Sequence, residues 1–250
     1  MDTSPSLPTA TMLAIGDELL SGRTRDRNIG HLASTLQAVG TDLIEVRIVP
    51  DRADVIAAAL NELRVRARYC FTSGGIGPTH DDVTADAVAL AFSVPCGHDA
   101  AALWLLADHY RETGKPFTEA RQRMARMPVG ARHIENPVSV APGFVIGNVH
   151  VMAGVPSVFN AMLEAVLPTL ERGPAFVDET IAVPTGIGEG DLGGPLAEVD
   201  RSYPNVAIGS YPRFEDCRHT VRIVVRGRDA PLVAKAAADV RAMLEALRTG

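Results

Sequence analysis

Along the N-terminal part of the chain, hydrophobic positions switch between two spacings. Met12 to Ile15 is a short apolar run closed by Gly16, the pattern of a buried strand. Ile29, Leu32, Ala33, Leu36 and Val39 recur at helical spacing, which predicts a helix over 28–39 stopped by Gly40. Leu43 to Val49 is rich in β-branched residues and reads as a second strand. Asp51 is placed to cap the next helix, whose inner face is Val55, Ile56, Ala59, Leu60 and Leu63. Tyr69 to Thr72 predicts a third strand, which runs into Gly74, Gly75, Gly77 and Pro78 and then a helix to about Phe92. Three strand–helix alternations predict an α/β fold with a mostly parallel sheet covered on both faces.

The rhythm then changes. Residues 99–113 and 117–127 carry helical patterns, and Gly147-Asn148 between Val145–Ile146 and Val149–Met152 predicts a hairpin. A further helix is expected over 157–170. Gly173 and Pro174 mark a short break. Beyond it, 180–183, 206–211 and 220–225 read as strands and 230–247 as an Ala-rich helix. The expected organisation is a loose N-terminus over 1–10, an α/β domain over 11–172 and a small α+β domain over 173–250.

Composition narrows the function classes. The chain has 250 residues, 46% hydrophobic and 22% charged, enough for one good core and a smaller second one. Its net charge of -6 leaves no basic excess to neutralise a nucleic acid backbone, so no nucleic acid partner is expected. Cys70, Cys96 and Cys217 are distant and odd in number, which fits neither a disulfide framework nor a metal knuckle and suits a reducing compartment. Residues 1–10 lack a basic start followed by an apolar run, and no stretch approaches the roughly 18 apolar residues of a membrane span. A cytoplasmic protein with no membrane partner is expected.

The chemistry concentrates in Ser73-Gly74-Gly75-Ile76-Gly77-Pro78-Thr79-His80-Asp81-Asp82-Val83-Thr84. A strand enters this turn and a helix leaves it. Glycines let an anion approach bare backbone amides, and a helix start adds partial positive charge. Such turns at the carboxyl ends of strands are where open α/β sheets take ligands. It is neither a Walker loop nor a dinucleotide fingerprint, because the required Lys is absent and Pro78 breaks the spacing. Asp81 and Asp82 either hold a divalent cation that bridges to the ligand or cap the helix; Asp81 alone suffices for a cap. His80 either contacts phosphate or faces solvent. His31, His98, His109, His133, His150 and His219 are scattered without metal-ligand spacing and read as structural.

Three motifs in order, Gly16-Asp17-Glu18-Leu19-Leu20-Ser21-Gly22, the loop Gly74 to Thr84, and Gly154-Val155-Pro156-Ser157, resemble the molybdopterin-binding (MoaB/Mog-like) domain family over about Thr11 to Leu170. Gly77 to Asp82 looks like the subgroup of the competence-damage protein CinA and the hydrolase-like domain of FAD synthase. The tail is similar in placement to the small second domain of CinA. The resemblance implies a three-layer α/β/α fold and an anionic ligand over the glycine loop. Family members bind molybdopterin, adenylylate it in molybdenum cofactor biosynthesis, or hydrolyse dinucleotide pyrophosphates with a divalent metal. Its functional aspartates fall on Asp51 and Asp82. Asp17 and Glu18 would share their sheet edge, and four carboxylates there would be costly without a cation or proton to offset them; Mg²⁺, Mn²⁺ or Co²⁺ is the expected cation, with Asp82, Asp81, Asp17 and Glu18 as candidate ligands. The resemblance also implies a homo-oligomer, dimer or trimer.

Other positions are weighed beside these. Asn28 opens a helix, as a cap or as a ligand contact. The stiff segment Pro137 to Gly143 resembles one that lies beside the subgroup's ligand, which makes Asn136 and Ser139 candidates. Gly154 and Ser157 form the other wall by resemblance, though Ser157 also suits an N-cap. Here Ala153 replaces the family's usual Pro and Val158 an acidic residue of the subgroup, which softens the wall and removes a charge. Arg121, Arg123 and Arg126 lie on an expected helix, solvated or reaching a second phosphate. Trp104 reads as core or interface. Three functions remain open: a molybdopterin-type ligand-binding protein, a metal-dependent pyrophosphatase acting on ADP-ribose or FAD, and a non-catalytic sensor or scaffold. Ligand contacts are expected from Gly74, Gly75, Gly77, Thr79, His80 and Thr84.

Overall fold

The structure, a computed structural model, describes residues 7–215 and 218–249, and Cys217 falls outside them. The chain divides into two compact units, Met1–Gly173 and Pro174–Gly250.

The first unit begins β1 (Thr9–Ile15), α1 (Asp17–Leu20), α2 (Asn28–Ala38), β2 (Asp42–Val49), α3 (Ala53–Leu63), β3 (Tyr69–Ser73) and α4 (Thr84–Phe92). It continues β4 (Cys96–His98), α5 (Ala100–Glu112), α6 (Glu119–Gln122), β5 (Arg126–Pro128), β6 (Arg132–Ile134), β7 (Gly143–Ile146), β8 (Val149–Met152) and α7 (Pro156–Val166). The main sheet has the order β2-β1-β3-β8-β7-β6. The first four strands are parallel; β7 and β6 are antiparallel.

Alternation along the strands builds two cores, one on each face. Leu13, Cys70 and Val151 join α3, α4 and α5 on one side. Met12, Phe71 and Met152 join α2 and α7 on the other. The result is a three-layer α/β/α architecture.

Several expectations change. β1 starts at Thr9, within the stretch expected to be loose, because buried Ala10 pairs with Leu43 and Tyr69. Residues 117–127 hold only α6 and a 3-10 turn. Arg126–Pro128 instead pairs with Cys96–His98 as a small ribbon, satisfying backbone groups that a helix ending at Pro128 would leave open. Trp104 is 67% exposed on α5, whose inner face is Ala102 and Leu106, so it is not core.

The second unit contains β9 (Val177–Ala182), α8 (Glu189–Ser202), β10 (Val206–Glu215), β11 (Arg218–Gly227) and α9 (Ala230–Thr249). Its antiparallel sheet, ordered β10-β11-β9, packs Ile223 and Val225 with Leu192, Val240 and Leu244. Among the described residues, no helix is long and apolar enough to cross a membrane.

Candidate functional site

The parallel strands β1, β2, β3 and β8 end at one edge of the sheet, which places the segments after each of them side by side. Between these segments lies a cavity of about 530 Å³. Glu18 and Thr24 line it from behind β1, and Asp51 from behind β2. Most of the loop Gly74 to Asp82 lines it from behind β3, and Ala153 to Pro156 from behind β8. Ile15, Met124, Asn136, Ser139, Ala141, Val158 and Met162 complete the wall.

The glycine loop is fixed from behind. Gly74 has φ +108, and a Cβ there would meet the Ile15 carbonyl oxygen at 2.3 Å. Gly75 has φ +69, and its Cβ would lie 2.1 Å from Thr84 Oγ1. Only glycine fits both positions. Thr84 is fully buried; its hydroxyl donates to the Gly74 carbonyl at 3.0 Å and its amide to the Gly75 carbonyl at 3.0 Å. Thr84 therefore braces the loop and is absent from the cavity wall, and the first amide of α4 is already used. The amides of Gly75, Ile76 and Gly77 make no hydrogen bond to any described residue.

Asn28 acts as a clamp. It is 3% exposed, and its Nδ2 donates to Ser73 Oγ at 2.7 Å and to the Gly154 carbonyl at 2.8 Å. The N-cap position of α2 is Arg27, without a side-chain cap, and Asp26 before it accepts from the Ile29 amide at 2.7 Å, so Asn28 is neither a cap nor part of the cavity wall. The clamp brings the loops into contact: a Cβ on Gly154 would stand 3.2 Å from Gly74 Cα.

The acids divide by role. Asp51 does not cap α3; its Oδ2 accepts from the Asp17 amide at 2.9 Å. Burial raises its proton affinity above the ordinary aspartate range. The Asp17 amide opposes this, and the charges of Glu18, Asp17 and Asp81 add to it. Asp81 is held below the usual range by its nearness to the Thr79 hydroxyl, whose hydrogen bond in the structure goes to Asp82. It does not cap α4, which begins at Thr84. Asp82 Oδ2 accepts from the Thr79 amide at 2.8 Å and from the Thr79 hydroxyl, so the Thr79 donors are spent inside the loop. Glu18, Asp51, Asp81 and Asp82 line the cavity, whereas Asp17 contributes only its amide. These are oxygen donors of the kind hard divalent cations take. Among the described residues, no three His, Cys, Asp or Glu side chains form a ready metal-ligand group.

Residues 11–172 match the family model of the probable molybdopterin binding domain. The chain belongs to this family. Residues 176–249 match the middle domain of FAD synthase. A protein of Aeropyrum pernix is 37% identical over 251 residues, covering 97% of this chain and 93% of its own length. A CinA-like protein of Desulfosudis oleivorans is 32% identical over 83% of this chain, which spans about half, 52%, of that relative. The crystal structure of CinA from Thermoplasma acidophilum superposes with a TM-score of 0.60 at 31% identity, covering 65% of this chain and 98% of that one.

Against this molybdopterin-binding domain, the remaining candidates are placed as follows. His80 is exposed and outside the cavity wall. Ser157 is exposed inside α7, which starts at Pro156 without a side-chain cap, so it is neither cap nor wall. Ser139 lines the cavity, and its Oγ accepts from Asn136 Nδ2 at 2.7 Å. Arg121 stacks on Tyr110 and Arg126 pairs with Asp86, while Arg123 reaches the Asp82 carbonyl at 3.4 Å. Sequence reasoning missed Thr24, Met124 and Met162. The two methionines sit in apolar patterns indistinguishable from core, and Thr24 carries no pattern at all.

Proposed function

We propose that the protein holds a phosphorylated small ligand, pterin- or nucleotide-like, with its phosphate against the Gly75–Gly77 backbone. The observation that carries this reading is the run of three consecutive amides, Gly75, Ile76 and Gly77, with no hydrogen-bond partner among the described residues, in residues lining a 530 Å³ cavity. Unpartnered amides in a concave loop are anion receptors. The apolar part of the wall, with Ile15, Ile76, Met124 and Met162, suits a ring or base.

A second reading is supported by the acids. Glu18, Asp51, Asp81 and Asp82 line the same cavity as the amides, and Asp51 is held reluctant to ionise by burial and its neighbours. A divalent cation such as Mg²⁺, Mn²⁺ or Co²⁺ offsets that charge and, when bound, polarises a phosphoryl oxygen. Asp51 and Asp82 would hold it, with Glu18 and Asp81 within the same cavity. The chain's own loop amides then stabilise charge developing on the phosphate. Water added across the P–O–P link of a nucleotide pyrophosphate would break it into two monophosphates, AMP and ribose 5-phosphate from ADP-ribose or AMP and FMN from FAD.

The test has two parts. ADP-ribose added without metal is expected to move the amide NMR resonances of Gly75 and Gly77 saturably; no movement removes the ligand-holding reading. Incubation of FAD or ADP-ribose with each cation is expected to release AMP, with at least about a 100-fold loss in Asp51→Asn. Binding without AMP leaves the first reading alone.

A further inference from the structure

A second cavity lies at the opposite ends of the strands that carry the glycine loop. β3 and β8 run parallel from Tyr69 and Val149 toward that loop, so Tyr69 and His150 stand at the far edge of the sheet. Two lobes of about 310 and 340 Å³ share Arg132, Val145, His150 and Thr169 as lining.

His150 is 6% exposed, and its Nδ1 is buried with no hydrogen-bond partner among the described side-chain contacts. The ring stacks on Phe71 at 5.0 Å and meets Tyr69 edge-on at 6.0 Å, which fixes it in the cavity wall. Burial drives its proton affinity down to about 4, so it stands as a neutral imidazole at physiological pH. The backbone groups of Asn148 and Cys70 partly offset that burial, and the imidazole lines both lobes.

Arg132, exposed on the edge strand β6, makes no ion pair or hydrogen bond with any described residue. The larger lobe adds Arg68, Tyr69 and Asn148, and no carboxylate lines it. Arg68 pairs with Glu171, which stands outside that lining. The Tyr69 hydroxyl oxygen accepts from the Glu171 amide at 2.9 Å, which leaves its own proton to donate. Asn148 Nδ2 is used on the carbonyls of Arg64 and Ala67 at 2.8 and 3.1 Å. The smaller lobe carries Glu135, so the larger lobe is the one whose charge suits an anion.

We propose that the larger lobe binds a small oxyanion, with Arg132 as its charge partner and the Tyr69 hydroxyl and His150 imidazole as neutral hydrogen-bond partners. The site is independent of the glycine-loop cavity and of any reaction there. A phosphate and a carboxylate share this chemistry.

The experiment follows the amide NMR resonances of Arg132, Asn148 and His150 in the full nitrogen-labelled chain. Inorganic phosphate, acetate and sodium chloride are titrated at matched ionic strength. Saturable movement with phosphate, acetate or both, but not chloride, is the expected result. Movement with phosphate alone identifies a phosphoryl guest, and movement with acetate alone a carboxylate. The Gly75 and Gly77 amides report the other cavity separately. Arg132→Gln is expected to weaken the response at least tenfold, and Arg132→Lys to retain most of it. Should Arg132→Gln fail to fold, Tyr69→Phe is expected to weaken it instead. No saturable response, an equal response to chloride, or full retention in the folded Arg132→Gln or Tyr69→Phe protein overturns the proposal.

Discussion

His150 takes up a proton only near pH 4, whereas an imidazole in the unfolded chain does so near 6.5. Above pH 6.5 both states are neutral and the side chain contributes its packing without a titration cost. As pH falls from 6.5 toward 4, the unfolded chain binds a proton that the fold refuses. Stability present above 6.5 is therefore lost across that window, by about 3 kcal/mol in full. Chemical denaturation of the wild type and His150→Gln at pH 7 and pH 4.5 checks this. The wild type is expected to lose more than the variant on acidification, and equal losses contradict the assignment. At this scale the sequence was readable for identity and unreadable for orientation. Gly74 and Gly75 were legible because only glycine tolerates such a turn. Thr84, Asn28 and Asp82 carry patterns that mark them as ligand candidates and not as braces, since a side chain turned into its own loop has the same spacing as one turned to a ligand. His150 carried no pattern at all.

The segment after β6 supplies Asn136, Ser139 and Ala141 to the cavity wall. Asn136 is 7% exposed and uses its whole amide: Oδ1 accepts from the Val138 and Ser139 amides at 3.1 Å each, and Nδ2 donates to Ser139 Oγ and the Ala141 carbonyl at 2.7 and 2.8 Å. Val140 sits at φ +68, with the Ala141 amide donating to the Ser139 carbonyl at 2.8 Å across it. A tight left-handed turn centred on a β-branched residue is strained, so Asn136 is what holds it. Asn136→Ala is expected to cost about 2 kcal/mol by leaving buried backbone groups unpaired. It should also weaken ligand binding in the first cavity, because Ser139 is no longer oriented. Thermal unfolding together with calorimetric titration reads both; an unchanged melting temperature contradicts the clamp. The stiffness of this segment was visible in Pro137 and Pro142, but the turn at Val140 was not, since valine is the residue least expected there. The same limit applies to 117–127. Its apolar spacing is helical, yet Arg126–Pro128 is drawn into a ribbon by Cys96–His98, a partner far away in the chain.

Across the whole molecule, the strand–helix alternation that predicts the three-layer unit is strong because β1 and β3, which set it, are buried on both faces. The second unit was only half legible, because α8 contains Gly190, Gly193, Gly194 and Pro195, which read as a loop. Its helical state is imposed by packing: Leu192 and Leu196 are buried in the core of Pro174–Gly250, while the glycines face outward. Each unit's core is built from its own residues, two clusters in Met1–Gly173 and one in Pro174–Gly250. That gives a test of modularity. Gly193 is exposed and lies outside the positive-φ region, and a Cβ there would meet nothing within 4 Å. Gly193→Ala is then a gain in helix propensity of about 1 kcal/mol with no steric cost. For a unit of this size such a gain raises the melting temperature by about 5 °C. Differential scanning calorimetry of the full chain should show only one transition moving, the one assigned to the second unit. The transition of the first unit, and the ligand affinity of its cavity, should stay where they are. If a single transition moves as a whole, the two cores unfold together, and α8 supports the molecule rather than only its own sheet.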